Sequence, residues 1–163
     1  MNTLKKRTIN AIKLLPLVAA AALIWPVAAS AQGAKALEGT WEIIATIRDC
    51  ASGNVIRPVP RMMTFANGGT LSEYTAAGTE AMPVARAPGF GAWEYLGDAT
   101  FTYSLKFMRL TAYGGQDGSI SETRVLVVNQ SGDKFTADGS GFINLANGVM
   151  IPTCTTEEGW RLY

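Results

Sequence analysis

Apolar and polar residues alternate along 41–47. Trp41, Ile43, Ala45 and Ile47 fall on one face and Glu42, Ile44 and Thr46 on the other, which is the two-residue period of a half-buried strand. The pattern returns down the chain, broken each time by turn-forming residues. Runs at 61–66 and 70–76 flank Asn67-Gly68-Gly69, where Asn and Gly supply the positive φ angles of a tight hairpin. Before them, Pro58 and Pro60 make a poor central strand, so pairing is expected to resume at Arg61. Runs at 92–95 and 100–111 flank Leu96-Gly97-Asp98, and in the longer run Phe101, Tyr103, Leu105 and Phe107 share one face, which predicts an inward aromatic face.

A strand is expected at 119–129. Its facing is open, because 125–128 looks buried while Glu122 and Arg124 share a face with Ile120 and Leu126. Ser131-Gly132-Asp133 then turns into 134–145, where Gly139 and Gly141 are expected to mark a bulge or bend. Asn147-Gly148 turns into 149–155, and a short closing strand is expected at 160–163. Between the first and second hairpins, 77–91 carries Gly78, Pro83, Pro88, Gly89 and Gly91 with little periodicity. It is the longest expected loop, either a solvated connection or a binding lid near one mouth.

About eight or nine short strands with turn chemistry between them predict an all-β chain folded as a single antiparallel up-and-down β-barrel; a β-sandwich is the alternative. Closure removes sheet edges and is favoured for that reason. Gly39-Thr40-Trp41 at the start of the first strand resembles the Gly-x-Trp motif that opens lipocalins and other calycin barrels. The late Arg161, in Gly159-Trp160-Arg161-Leu162, resembles the lipocalin Arg that packs over the early Trp. The mid-chain Thr-Asp-Tyr of lipocalins proper is missing, so the resemblance is to a calycin-like barrel outside that family. It implies a structural role for Trp41 and Arg161, with the guanidinium stacked over the indole.

The basic residues Lys5, Lys6, Arg7 and Lys13, the apolar run at 14–28 and Ala29-Ser30-Ala31 have the organisation of a secretory signal peptide cut after Ala31. Residues 1–31 are therefore expected to be a leader and 32–163 a single barrel domain, secreted or periplasmic, with no membrane anchor after cleavage. Cleavage removes four of the 14 Lys+Arg and none of the 13 Asp+Glu, leaving a net charge of −3 (10 minus 13). That balance, with no basic cluster, gives no footprint for nucleic acid. Cys50 and Cys154 are the two cysteines, and an even pair in an oxidising compartment predicts a disulfide tying the two ends of the sheet together.

The chain contains no His, which excludes Ser-His-Asp and Cys-His catalysis and His-ligated zinc. A disulfide would also take away thiolate chemistry. No metal site and no cofactor are expected, and Glu157-Glu158 reads as a solvated turn rather than a calcium site. Acid–base candidates are Glu73, Glu94, Tyr103, Arg109, Glu122 and Arg124, each a group that a barrel could desolvate within its cavity. Met62, Phe65, Tyr74, Trp93, Tyr95, Phe101, Tyr103, Phe107 and Phe142 are the aromatic and Met positions able to line such a cavity, or else to form ordinary core. The resulting expectation is a barrel that binds a small apolar or aromatic ligand. The alternatives are a cofactor-free isomerase or cyclase using buried Glu, Tyr and Arg, and a protein-binding module such as a protease inhibitor.

Overall fold

The structure is a computed structural model that describes residues 33–75 and 86–163. The expected leader and most of the 77–91 loop lie outside the described residues. Eight strands, β1 Gly39–Arg48, β2 Val55–Ala66, β3 Thr70–Tyr74, β4 Gly89–Gly97, β5 Thr100–Leu110, β6 Gln116–Val128, β7 Lys134–Leu145 and β8 Met150–Arg161, follow one another in a closed antiparallel barrel. β1 closes it against β8 with Trp41 opposite Arg161 and Arg48 opposite Cys154. The disulfide joins Cys50 to Cys154 beside this seam, with Cα atoms 5.2 Å apart, and closes a separation of 104 residues.

Among the described residues the strand count is eight, because β8 runs unbroken through Glu157-Glu158. The two expected strands at 149–155 and 160–163 are one, and the expected solvated turn between them is ladder. β2 starts at Val55 and contains both prolines, paired with Ile44 and Thr46 of β1. On its other flank β2 meets β3 only from Met62 onward. Residues 55–61 thus have a free flank among the described residues, the setting in which a strand tolerates proline. β4 begins at Gly89, not at residue 92. A Cβ on Gly91 would lie 1.9 Å from the Ser104 carbonyl oxygen, so glycine here permits close strand approach and does not signal a loop.

Gly139 and Gly141 mark no bulge: the ladders of β7 with β6 and with β8 pass through both without a register shift. Gly139 lies opposite Arg124, and a Cβ there would meet the Thr123 carbonyl at 2.1 Å and the Arg124 Cδ at 2.9 Å. The missing side chain leaves room for the stem of an inward arginine.

The interior is layered. At one end the turn at 33–37 brings Leu37 into contact with an aromatic core in which Trp41 packs on Phe135 (5.0 Å between centroids) and Phe65 on Trp93 and Tyr103 (6.3 and 5.9 Å). Tilted and edge-to-face pairs of this kind suit the ring quadrupoles. The aromatic face of β5 points inward as expected, with Phe101, Tyr103, Leu105 and Phe107 all buried. β6 turns Ile120, Glu122, Arg124 and Leu126 inward and leaves Val125 and Val127 about half exposed. The 125–128 run is therefore divided between the two faces.

A candidate site above a charged floor

Halfway along the barrel the inward positions change from aromatic to ionic. Arg61 of β2 reaches Glu122 of β6 (Nη1 to Oε2, 2.9 Å) and Glu157 of β8 (Nη2 to Oε1, 2.7 Å). Arg124 lies beside the same two carboxylates, 3.3 Å from Glu122 and 3.7 Å from Glu157, and donates to the carbonyls of Thr123 and Ser140 at 3.0 and 2.8 Å. Tyr103 donates to the remaining oxygen of Glu157 at 2.5 Å. On the β3 side Glu73 takes a hydrogen bond from Thr75 at 2.6 Å and pairs with Arg86, whose guanidinium carbon sits 3.7 Å from the Phe107 ring centre. Arg61, Arg124, Glu73 and Glu157 are all more than nine-tenths buried.

These contacts set the charge states. Burial opposes ionisation of Glu122, but Arg61 and Arg124 outweigh it and hold the carboxyl below the usual glutamate range. Burial also opposes the charge on Arg61, and Glu122 and Glu157 more than restore it. Burial, reinforced by Glu157, pushes the Tyr103 phenol well up, so it remains a donor. Burial pulls Arg86 down against the opposing pull of Glu73, although an arginine remains charged after such a shift. Three cations thus stand against three carboxylates.

Beyond this floor, toward the end of the barrel where β1 finishes and β2 begins, lies a cavity of about 320 Å³. Five isoleucines and Phe107 contribute most of its apolar wall, while Arg48, Arg57, Arg61 and Arg86, with Glu122 and two threonines, bring polar atoms to it. The volume is at the lower end of the roughly 300–1,000 Å³ usual for small-molecule sites. Three polar side-chain atoms of these lining residues, Arg61 Nε, Arg86 Nε and Thr153 Oγ1, are buried with no hydrogen-bond partner among the described residues.

Of the acid–base candidates, Glu73, Tyr103, Glu122 and Arg124 come together in the floor. Glu94 is exposed on the outside of β4, and Arg109, whose backbone bridges to Arg86, pairs its side chain with Asp117 at 2.9 Å. Of the lining candidates, Phe107 alone borders the cavity. Phe65, Trp93, Phe101 and Tyr103 are core, and Tyr95 packs against that core. Met62, Tyr74 and Phe142 stand on the outer surface, exposed by 46%, 60% and 45%. Strand register is the reason: in β2 the inward parity belongs to Arg61, Met63 and Phe65, and in β7 to Gly141 and Ile143. The sequence reading missed Arg61, Arg86 and Glu157. For Arg61 the signal was available as parity, since it shares a face with Met63 and Phe65, and Glu157 likewise alternates with Glu158 in β8, whereas Arg86 lies in the aperiodic stretch before β4 and gave none.

Among the described residues no group of three His, Cys, Asp or Glu side chains is placed to hold a metal ion. No family model and no curated protein matches the chain.

Proposed function

We propose that the protein binds a small, largely apolar molecule in the cavity at the end of its barrel where β1 finishes and β2 begins. One observation carries the reading: a walled space of about 320 Å³ whose isoleucines, Val59 and Phe107 give it an apolar side, with Arg48 and Arg57 also in its wall and a fixed polar floor beneath. Concave, mostly apolar space with a few fixed polar groups is the usual form of a small-molecule site. The other end is packed by Trp41, Leu37 and Phe135, so among the described residues entry is from the cavity side. The eight-stranded barrel and the Trp41–Arg161 stack support kinship with calycin barrels. The disulfide supports a secreted or periplasmic location, and N-terminal sequencing of the exported protein should then begin at Gln32.

The test is titration of the purified, disulfide-bonded protein with an environment-sensitive apolar dye. Uptake of one dye per chain, displaced by small apolar compounds and abolished by Ile120→Trp at unchanged thermal stability, is the expected result. A folded protein that takes up no dye would overturn the reading.

A second reading, a cofactor-free isomerase or cyclase, is favoured by Glu122, a carboxylate that borders the cavity next to Arg61. Its depressed pKa makes it a weak base, which places this reading second. The cavity argues against the protein-binding alternative, which a filled barrel would favour.

A further inference from the structure

Exposed apolar side chains gather around the mouth of the cavity. Ile56 and Ile151 line it and are still 61% and 42% exposed, so its apolar wall runs out to the surface there. Val55, next to Ile56, and Val149 and Met150, next to Ile151, extend that surface, and Tyr113 stands fully exposed in the β5–β6 turn at the same end. Exposed apolar residues scattered singly need no explanation, but a group of them around the opening of a cavity marks an interaction surface. The two ends of the barrel also differ in charge. Among the described residues the mouth carries Arg48, Arg57 and Arg109 against Asp49 and Asp117, whereas at the closed end Lys35, Lys134 and Arg161 stand against Glu38, Glu42, Asp98 and Asp133. Asp49 is turned into its own loop, accepting from Ala51 and Ser52, and Asp117 is paired with Arg109. Arg48 gives its hydrogen bonds to neutral groups, the Thr156 hydroxyl and the Gly53 carbonyl, at 3.1 Å each, and Arg57 lines the cavity opposite Ile47. The closed end exposes Leu96, Leu162 and Tyr163, but no cavity opens beside them and their end has the acidic excess.

We propose, resting on the small-molecule reading above, that this mouth docks on a phospholipid bilayer and that the ligand is exchanged with the membrane rather than with bulk water. A largely apolar molecule partitions from water into a bilayer. A barrel that lowers an apolar rim into the headgroup region gives such a molecule a path into the cavity without passing through water. Val55, Ile56, Met150 and Ile151 enter the boundary between headgroups and acyl chains, the depth at which surface-bound proteins bury their apolar faces. Arg48 and Arg57 stand at the same rim, where cations are drawn to the phosphates of anionic lipids. A second copy is the poorer occupant, because a face-to-face pair through this mouth is isologous and sets the cationic rim against itself.

Co-sedimentation of the purified, disulfide-bonded protein with sucrose-loaded vesicles tests this, the vesicles being phosphatidylcholine alone or equimolar with phosphatidylglycerol. The protein is expected to pellet with the anionic vesicles at low salt, and at least about fivefold less tightly with phosphatidylcholine alone or in high salt. The double variant Val55→Asp and Met150→Asp changes exposed side chains that do not line the cavity. It should lower affinity for the anionic vesicles at least about tenfold, with the melting point and the uptake of apolar dye in the absence of vesicles unchanged. Tyr113→Asp, in a turn outside the ladder, should act in the same direction without touching a strand, and Leu96→Asp at the closed end should leave vesicle affinity as it was. A protein that takes up dye but pellets with neither vesicle overturns the membrane inference and leaves the cavity reading intact. Vesicle affinity that survives both the double variant and Tyr113→Asp overturns the placing of the contact at the mouth. A dimer that the double variant abolishes, formed by a protein that does not pellet with vesicles, overturns the inference in favour of a second copy. Vesicle binding without dye uptake removes the small-molecule reading and with it the exchange.

Discussion

The guanidinium of Arg161 lies over the indole of Trp41, 4.3 Å from its carbon to the ring centre. Its three nitrogens donate to the carbonyls of Gly132 (2.7 Å), Glu38 (2.5 Å) and Ala36 (2.5 Å), while Trp41 Nε1 donates to the Leu37 carbonyl at 2.9 Å. One side chain thus fastens the turn at 33–37, the β6–β7 turn and the β1–β8 seam across the closed end. Only a planar fork with several donors can serve three carbonyls while stacking on a ring.

Replacing that fork should cost stability and nothing else. Arg161→Lys is expected to lower stability by about 1–2 kcal/mol, the worth of a partly desolvated cation–π contact, with a melting point lower by roughly 3–8 °C. Dye affinity at the opposite end should stay unchanged; a variant melting like the parent would show that the stack contributes nothing.

Acid should loosen the floor before the core. Because the Glu122 pKa is depressed on folding, its contribution is fully present above the ordinary glutamate value of about 4.3 and is lost as pH falls through the lower folded value. Urea midpoints measured against pH should therefore drop below about pH 4. Glu122→Gln leaves Arg61 and Arg124 sharing one carboxylate and should cost about 3–5 kcal/mol at neutral pH, a gap that narrows in acid. A gap independent of pH would rule out the ionised Glu122 as its source.

Tyr103→Phe removes the donor to Glu157 Oε2 without opening space. A buried acceptor left unmet should cost about 1–3 kcal/mol. Urea unfolding of the variant measures it, and a value near zero would mean that the hydroxyl is easily replaced.

Thiol counting on the denatured, unreduced protein should find no free cysteine. Reduction removes the link across 104 residues and should lower stability by up to about 4–5 kcal/mol in the chain-entropy picture. Two free thiols per chain would exclude the bond.

Gly139→Ala should be far more damaging than Gly53→Ala, although both replace glycine. A Cβ at 139 meets backbone at 2.1 Å and the Arg124 stem, while one at 53 meets nothing within 4 Å and bears only the strain of φ +73°. Overpacking at 139 should cost about 3 kcal/mol, against about 1 kcal/mol at 53. Equal melting points for the two would contradict the close approach of β6 and β7 at Arg124.

The sequence alone determined the β-class, the hairpin turns, the aromatic inward face of β5 and the disulfide, while the pairing of chain ends at Trp41 and Arg161 came from the resemblance to calycin barrels. Those features are written in local chemistry, in period-two alternation, in Gly and Asn at positive-φ turns such as Gly68 and Gly148, and in residue types with few other uses. Tertiary structure decided what fills the middle of the barrel. Arg61, Glu122, Arg124 and Glu157 occupy inward positions that a hydrophobicity pattern assigns to solvent, because an ion is affordable inside only when its counterion arrives from another strand. Those counterions come from β2, β6 and β8, as many as 96 residues apart in the case of Arg61 and Glu157. For the same reason Glu157-Glu158 looked like a turn and proved to be ladder: one carboxylate points into a cage that exists only once the barrel has closed, and its neighbour points to water.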